Sequence, residues 1–295
     1  MVPMSHDGRR RRTYPRSTPP SREVITTSNS PSSANRPSTG RTADALLRRL
    51  PADVRRDWAA LARPTASSSF HPNLVAALPE PARRWLTAAI APGTPLTTTV
   101  ELVQHGRIKI GSWRRFWAHQ IISGDGYLWA STTRVLGLPV RGYDRLIDGR
   151  GDLVHRIAGK IAVVDESGPD VSRSAAGRLV CELCWVPAAT LGPDVTWSAV
   201  DDDTARVSLD YAGATYDAEF TIDAAGGLRS VRTRRWASLD GQPYRLHEFG
   251  AQIHRSGTFG GFTVPQHVTV GYGFGGSEWP AGAFIEIVLD DAVFT

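Results

Sequence analysis

The residues best suited to chemistry lie in one stretch, residues 170–203, which reads DVSRSAAGRLVCELCWVPAATLGPDVTWSAVDDD. Glu182 stands there among apolar neighbours, in the last turns of a predicted helix. If its carboxyl group is buried, its pKa would rise and it could donate or accept a proton. A salt bridge to one of the chain's many arginines is the competing interpretation, because structural ion pairs occur at the same kind of position.

The chain's two cysteines, Cys181 and Cys184, form one CxxC pair in the same helix. A disulfide between them would strain the helix, and one CxxC supplies only half of a four-ligand zinc site. The strand-then-helix context of a thioredoxin-type redox pair is also missing. We therefore expect two thiols that pack as small apolar residues, and no bound metal.

Other catalytic motifs are absent or ambiguous. Asp201, Asp202 and Asp203 form a carboxylate cluster, but they lie between two predicted strands, where turn chemistry favours aspartate. The sequence contains no HExxH, no GxSxG, no Walker loop and no GxGxxG between a strand and a helix. The sequence therefore predicts no cofactor.

Aromatic residues suggest a binding site instead. The chain has nine tryptophans, and each such ring can offer a ligand a large amphipathic wall. Core packing is the simpler alternative for the same rings. We predict a ligand cavity with three tryptophan walls and three polar anchors, namely Trp113, Trp129, Trp185, Arg134, Asp144 and Glu182.

One helix between two β-rich halves must position these residues. Apolar residues at i, i+4 spacing predict a helix over 171–186, which Pro187 ends and Asp170 caps. This apolar stripe consists of Val171, Ala175, Leu179 and Leu183. Strand-forming runs broken by Gly, Asp or Pro fill residues 97–166 and again 195–295, with the spacing of antiparallel meanders.

The N-terminal part divides into a basic tail and a helical preface. Residues 1–42 hold eight arginines against two acidic residues, so the remainder of the chain carries −1 of the total charge of +5. Residues 1–41 have almost no large apolar side chain and are predicted to be disordered. Residues 42–93 show helical spacing broken by prolines, and are predicted to be helices that pack on the β-rich domain, 94–295.

The location of the basic charge limits the choice of partners. The tail is either a tether that makes weak contact with an anionic surface or an upstream extension of the coding frame. For the globular part we predict no specific nucleic-acid partner. No run approaches the roughly 20 apolar residues of a membrane span, and no signal-peptide core follows the arginines, so we expect a cytoplasmic protein.

A set of ordered motifs resembles a family of uncharacterised, largely bacterial proteins, the domain-of-unknown-function family numbered 6544. The similarity covers residues 78–295. Its pieces are LPEPARRWL at 78–86, HGRIKI at 105–110, Trp113 with Phe116 and Gln120, YLWAS at 127–131, GLPVRGYDRLIDGRGDL at 137–153, ELCWVP at 182–187, VTWSAVDDDTARVSL at 195–209 and FGGFTVPQHVTVGY at 259–272.

The chain departs from the family pattern in three ways. The family more often has tyrosine at the position of Trp85, the cysteine pair is not expected, and some relatives carry a hydrophobic N-terminal segment where this chain has its arginine tail. The resemblance implies no established activity. The order of strands, central helix and strands is also similar to the lipoprotein-carrier (LolA-like) folds, which implies a curved antiparallel sheet that wraps helices and holds acyl chains.

Together these observations predict an α+β protein. We expect a strongly curved antiparallel sheet, a half-open barrel, around the central helix, with the 42–91 helices closing one side. The predicted function is binding of a hydrophobic or amphipathic small molecule, such as a lipid, between sheet and helix. The alternative is a cofactor-independent isomerase, cyclase or hydrolase that uses Glu182 or Asp144 for acid-base chemistry. The sequence does not decide whether the chain is an enzyme.

Overall fold

One antiparallel sheet forms the framework of the described residues, 45–64 and 68–295 of this computed structural model. The strands are β1 Thr99–Ile110, β2 Ser112–Ser123, β3 Gly126–Val135, β4 Leu138–Ile147, β5 Arg150–Ile157, β6 Ile161–Ser167, β7 Val195–Ala199, β8 Thr204–Tyr211, β9 Ala214–Ile222, β10 Leu228–Ala237, β11 Arg245–Phe259, β12 Phe262–Tyr272 and β13 Ala283–Phe294. Their order in the sheet is β6-β5-β4-β3-β2-β1-β13-β12-β11-β10-β9-β8-β7. The predicted α+β class, with a curved antiparallel sheet around a helix, is confirmed.

Helices account for the remaining regular structure. The predicted basic tail, 1–41, lies outside the described residues. None of the described helices is long and apolar enough to cross a membrane. The α-helices are α1 Ala52–Leu61, α2 Glu80–Ala89, α3 Pro169–Glu182 and the short α4 Trp279–Gly282, with single 3₁₀ turns at Pro72–Val75, Leu183–Trp185 and Pro187–Leu191.

The strand order explains why a helix packs against the concave face of the sheet. The chain begins the sheet at its centre with β1 and meanders outward to the edge strand β6. It then resumes at the opposite edge with β7 and meanders back to β13, which pairs with β1. The segment between β6 and β7 must therefore cross the sheet from edge to edge. Helix α3 makes this crossing on the concave face, in contact with strands of both halves.

Helix α3 agrees with the predicted central helix, apart from its cap. The predicted apolar stripe is buried from Val171 to Leu183. The N-cap, however, is Gly168 at φ 114°, so the prediction that Asp170 caps the helix is wrong. Pro169 supplies the fixed φ that suits a first helical residue and moves the start of the helix forward. Asp170 lies in the first turn and accepts a hydrogen bond from Trp236 Nε1 at 2.8 Å.

The preface helices pack on opposite faces of the sheet instead of closing one side together. Strands β2 and β3 carry apolar residues on both faces, so neighbours such as Ile121 and Ile122 belong to two separate cores. Helix α1 covers the convex face through Val54 and Trp58. Helix α2 belongs to the main core, where the Trp85 ring lies 5.1 Å from that of Phe220. The prediction that the 42–91 helices together close one side of the sheet is wrong, because α1 and α2 pack on different faces.

The β1–β13 pairing joins the two halves of the sheet, and Gly106 lies within it, opposite Ile287. A Cβ atom at position 106 would collide with the carbonyl oxygen of Glu286, the residue before Ile287 in β13. The backbone oxygen cannot turn away without disturbing the pairing. A side chain at position 106 would therefore disturb the pairing that joins the two halves.

Gly106→Ala is expected to lower the free energy of unfolding by about 1–3 kcal/mol, the range for overpacking. Chemical denaturation with circular dichroism measures this change. Gly124→Ala is the matched control, because its added methyl group would meet only the Ala189 side chain at 3.7 Å. The control should leave stability unchanged within about 0.5 kcal/mol. Equal stabilities of the two variants would contradict this role for Gly106.

Candidate functional site

A cavity of about 280 Å³ lies between helix α3 and the concave face of the sheet. Its wall is mainly apolar and comes from β11, β12 and β13. Because strand residues point alternately to the two faces, every second residue in this part of the strands contributes, and Phe284 at the start of β13 adds to them. The apolar residues of this wall are Phe249, Ala251, Ile253, Val268, Val270, Phe284, Ile285 and Ile287. The apolar wall is therefore a direct result of the alternating sequence pattern.

The opposite end of the cavity is charged, and Arg178 of α3 lies at its centre. Its Nε donates to Glu182 Oε1 at 2.7 Å, and one terminal nitrogen donates to Asp144 Oδ2 at 2.8 Å. The guanidinium also lies over two aromatic rings, 4.5 Å from the centre of Tyr127 and 5.7 Å from that of Trp129. One cation thus holds two carboxylates that come from different elements.

A row of hydrogen bonds continues from Glu182 across the sheet. Gln120 Nε2 donates to Glu182 Oε2 at 2.7 Å, Gln104 Nε2 donates to Gln120 Oε1 at 3.0 Å, and Trp129 Nε1 donates to Gln104 Oε1 at 3.1 Å. An ionised carboxylate only accepts hydrogen bonds, so Glu182 fixes the direction of both amides. Gln104 and Gln120 are each only 1% exposed, and a buried amide needs such partners.

The second carboxylate oxygen of Asp144 also has a hydrogen-bond partner. His155 Nε2 lies 2.8 Å from Asp144 Oδ1. All four oxygens of Glu182 and Asp144 therefore have a hydrogen-bond partner. We refer to these seven residues as the polar row: Gln104, Gln120, Trp129, Asp144, His155, Arg178 and Glu182.

The surroundings fix the charge states at this end of the cavity. Burial acts to raise the pKa of Asp144, but the hydrogen bond from His155 and the charge of Arg178 outweigh it and hold that pKa below its usual value. Burial works against the charge of Arg178, yet the Glu182 carboxylate keeps the pKa of this guanidinium above its usual value. Burial also raises the pKa of the Tyr127 hydroxyl, which stays neutral. Arg178 and Asp144 thus form a fixed ion pair at neutral pH.

The cysteine pair lines the cavity without forming a reactive centre. Cys181 and Cys184 are free and buried, as the sequence predicted. Burial raises the pKa of the Cys181 thiol to about 12, and that of Cys184 also lies well above its usual value. Both remain protonated thiols, which are poor nucleophiles. No group of three or more His, Cys, Asp or Glu residues within 45–64 and 68–295 is arranged to hold a metal ion.

Four of the predicted site residues meet at this cavity: Trp129, Asp144, Glu182 and Trp185. The Trp185 ring is buried, and its Nε1 donates to the carbonyl oxygen of Pro265 in β12 at 2.9 Å. This bond ties the end of α3 to the apolar wall. Whether these residues contact a ligand remains a prediction.

The other two predicted residues, Trp113 and Arg134, lie outside the cavity. Trp113 is 39% exposed near the start of β2, with the Arg107 guanidinium 5.5 Å from its ring centre. Arg134 is exposed near the end of β3 and donates to the carbonyl oxygen of Gly137 at 3.0 Å. By strand alternation both side chains point to the convex face. Neither can wall or anchor a ligand between sheet and helix.

Sequence reasoning missed Arg178 and the two glutamines. Arg178 precedes Glu182 by four residues, the spacing at which helical side chains pair, so this signal was present. Gln104 and Gln120 each take an inward position in a strand whose other inward residues are largely apolar. That break in the pattern was detectable, but their contact depends on strand register.

Arg178→Met is expected to lower the free energy of unfolding by about 3–5 kcal/mol, because it leaves Asp144 and Glu182 buried without their cation. Arg173→Met is the control on the same helix, since Arg173 is exposed and stacks 4.0 Å over Trp236. The control should cost at most about 1 kcal/mol. Urea denaturation at pH 7 measures the free energy of unfolding of both variants. Equal losses of stability would contradict the structural role of the Arg178 ion pairs.

Asp144→Asn tests the lowered pKa. Above the ordinary aspartate pKa of about 3.9, the folded and unfolded states both ionise Asp144, and its full contribution is present. As the pH falls below that value, the unfolded chain binds a proton first, so the contribution is lost toward the lower folded pKa. The stability difference between wild type and variant should therefore be constant from pH 7 to 5 and shrink below about pH 4. A difference that grows on acidification would contradict the shift.

Comparisons with solved structures found similar folds at low identity. A domain described as an outer membrane lipoprotein-sorting protein from Vibrio parahaemolyticus is 9% identical, with a TM-score of 0.33 over 68% of this chain and 86% of the other. A DUF1329 family protein from Desulfovibrio piger is 9% identical, with a TM-score of 0.39 over 67% and 86%. A LolA superfamily protein from Nitrosomonas europaea is 7% identical, with a TM-score of 0.33 over 68% and 86%.

Sequence comparisons point to one family. No curated protein matches this chain significantly. A family model matches residues 68–284, most of the chain and nearly the whole range in which the ordered motifs were found. The resemblance predicted from those motifs is confirmed. The chain belongs to the family described as Family of unknown function (DUF6544).

Proposed function

We propose that this protein binds a small hydrophobic or amphipathic molecule in the cavity between α3 and strands β11–β13. One observation carries the proposal: a cavity between a helix and a sheet that combines an apolar wall with a few charged side chains. Ligand pockets commonly combine such a wall with a few fixed polar groups that orient the ligand.

The size of the cavity supports this function. Its 280 Å³ is about twice the ~150 Å³ of an engineered apolar cavity that holds benzene, so it suits a ligand of roughly a dozen non-hydrogen atoms. An apolar wall around a space of this size, which no side chain fills, is typical of a ligand pocket.

The polar row favours binding over acid-base catalysis. A general base must direct an oxygen lone pair at a substrate proton, and a general acid needs a proton to give. Every oxygen of Glu182 and Asp144 already accepts a hydrogen bond, and Asp144 is held ionised. The cofactor-independent enzyme stays a prediction, and Glu182 and Asp144 contribute more directly by holding Arg178 and the neighbouring polar side chains in place at the end of a binding cavity.

Ala251→Phe is expected to abolish binding of an uncharged naphthylamine dye, because the new ring would occupy the cavity from the middle of β11. Ala251→Leu fills less space and should weaken binding by a smaller factor. Gln252→Phe is the control, since it places the same ring on the opposite face of the same strand. Dye fluorescence titration measures affinity, and circular dichroism confirms that each variant is folded. Undiminished dye binding by folded Ala251→Phe would rule out this cavity as the binding site.

A further inference from the structure

Arg235 of β10 lines the cavity and forms no ion pair with a carboxylate. Its Nε donates to the carbonyl oxygen of Ser174 at 3.2 Å, and its guanidinium lies 4.8 Å from the ring centre of Phe249. Within 45–64 and 68–295, no carboxylate lies within ion-pair distance of Arg235. Its two terminal nitrogens are therefore available as donors.

Arg178 and Arg235 differ in their contacts. Four charged residues line the cavity, two arginines and two acids, so their formal charges sum to zero. Arg178 donates hydrogen bonds directly to both acids, Asp144 and Glu182. Arg235 has compensating charge nearby but no acid in contact. A guanidinium without a carboxylate partner can donate two parallel hydrogen bonds to the oxygens of a carboxylate or a phosphate.

Arg235 lines the cavity and lies next to a residue of α3 that lines an outer groove. Its side chain packs beside Gly177 of α3, where an added Cβ would lie 3.8 Å from Arg235 Cγ. Gly177 in turn lines an open groove of about 1060 Å³ along the outer half of α3. A ligand that reaches into the cavity from this groove would pass the guanidinium of Arg235.

The groove exists because the sheet splits between β9 and β10. Their pairing ends at Glu219 and Arg232, although β9 begins at Ala214 and β10 runs to Ala237. Thr233 Oγ1 donates to the Asp217 carbonyl oxygen at 2.6 Å at the base of the split. Beyond this bond the two strands separate over the N-terminal part of α3, and the strand that opens the split carries Arg235.

We propose that the bound molecule is a single-chain amphiphile with an anionic head group, a carboxylate or a phosphate, which pairs with Arg235 at the mouth while the chain lies in the cavity. This rests on the proposed function. The anionic oxygens accept hydrogen bonds from the terminal nitrogens of Arg235, and the head group stays near water in the groove. An uncharged head group would leave those donors without an anionic partner, and a cationic one would be repelled.

Decanoate, decyl phosphate, decanol and decylamine test this inference at pH 7.5 by displacement of the uncharged dye from the full chain. Decanoate and decyl phosphate are expected to bind about 10- to 100-fold more tightly than decanol, the range for a hydrogen bond to a charged group. Decylamine should bind most weakly. A preference for only one of the two anions identifies which head group fits the mouth.

Arg235→Gln should remove the preference for the anions and leave the affinity for decanol within about threefold. Arg229→Gln is the control, because Arg229 lies on the same strand but lines neither the cavity nor the groove, and it pairs with Asp223 at 2.8 Å. It removes the same charge and should keep the preference. Equal binding of decanoate, decyl phosphate and decanol by the wild type, or an anion preference that survives Arg235→Gln, overturns the inference and leaves the proposed function standing. Failure of all four compounds to displace the dye overturns both.

Discussion

The guanidinium of Arg178, whose side chain is only 15% exposed, sets the main constraint on the interior of this protein. Moving such a charge out of water costs several kcal/mol unless partners replace its hydration. Arg178 lies in the interior because the chain must cross the concave face to join the two edges of the sheet, and α3 makes that crossing. Two carboxylates and two aromatic rings then supply the contacts that water would otherwise provide.

The two halves of the sheet contribute differently to the cavity. The polar row takes one residue from each of five consecutive strands, in order Gln104, Gln120, Trp129, Asp144 and His155. These strands, β1 to β5, form the first half of the sheet. The apolar wall comes from β11 to β13 in the second half. Because β1 pairs with β13, the polar row and the apolar wall meet at the centre of the sheet, under the C-terminal end of α3.

The sequence predicts the elements better than their contacts. The helix over 171–186 and the two β-rich halves were readable because their periodicity is local. The faces of Trp113 and Arg134 could also have been predicted. Trp113 lies three positions from inward-facing Phe116 and Arg134 lies five positions from inward-facing Trp129, and an odd offset puts a strand residue on the opposite face. The meeting of Gln104 with Gln120 was not readable, because it depends on the register that pairs Leu102 with Gln120. The mouth beside Arg235 depends on where the β9–β10 pairing stops, which no local pattern marks.

A crystal structure of the protein with a decanoate that carries bromine at the far end of its chain tests the central claim most directly. The account predicts an anomalous bromine peak inside the cavity, between α3 and the side chains of Ile253 and Ile285, with the carboxylate within hydrogen-bond distance of Arg235. Bromine found only in the outer groove or on the surface, with the cavity unchanged, would contradict it.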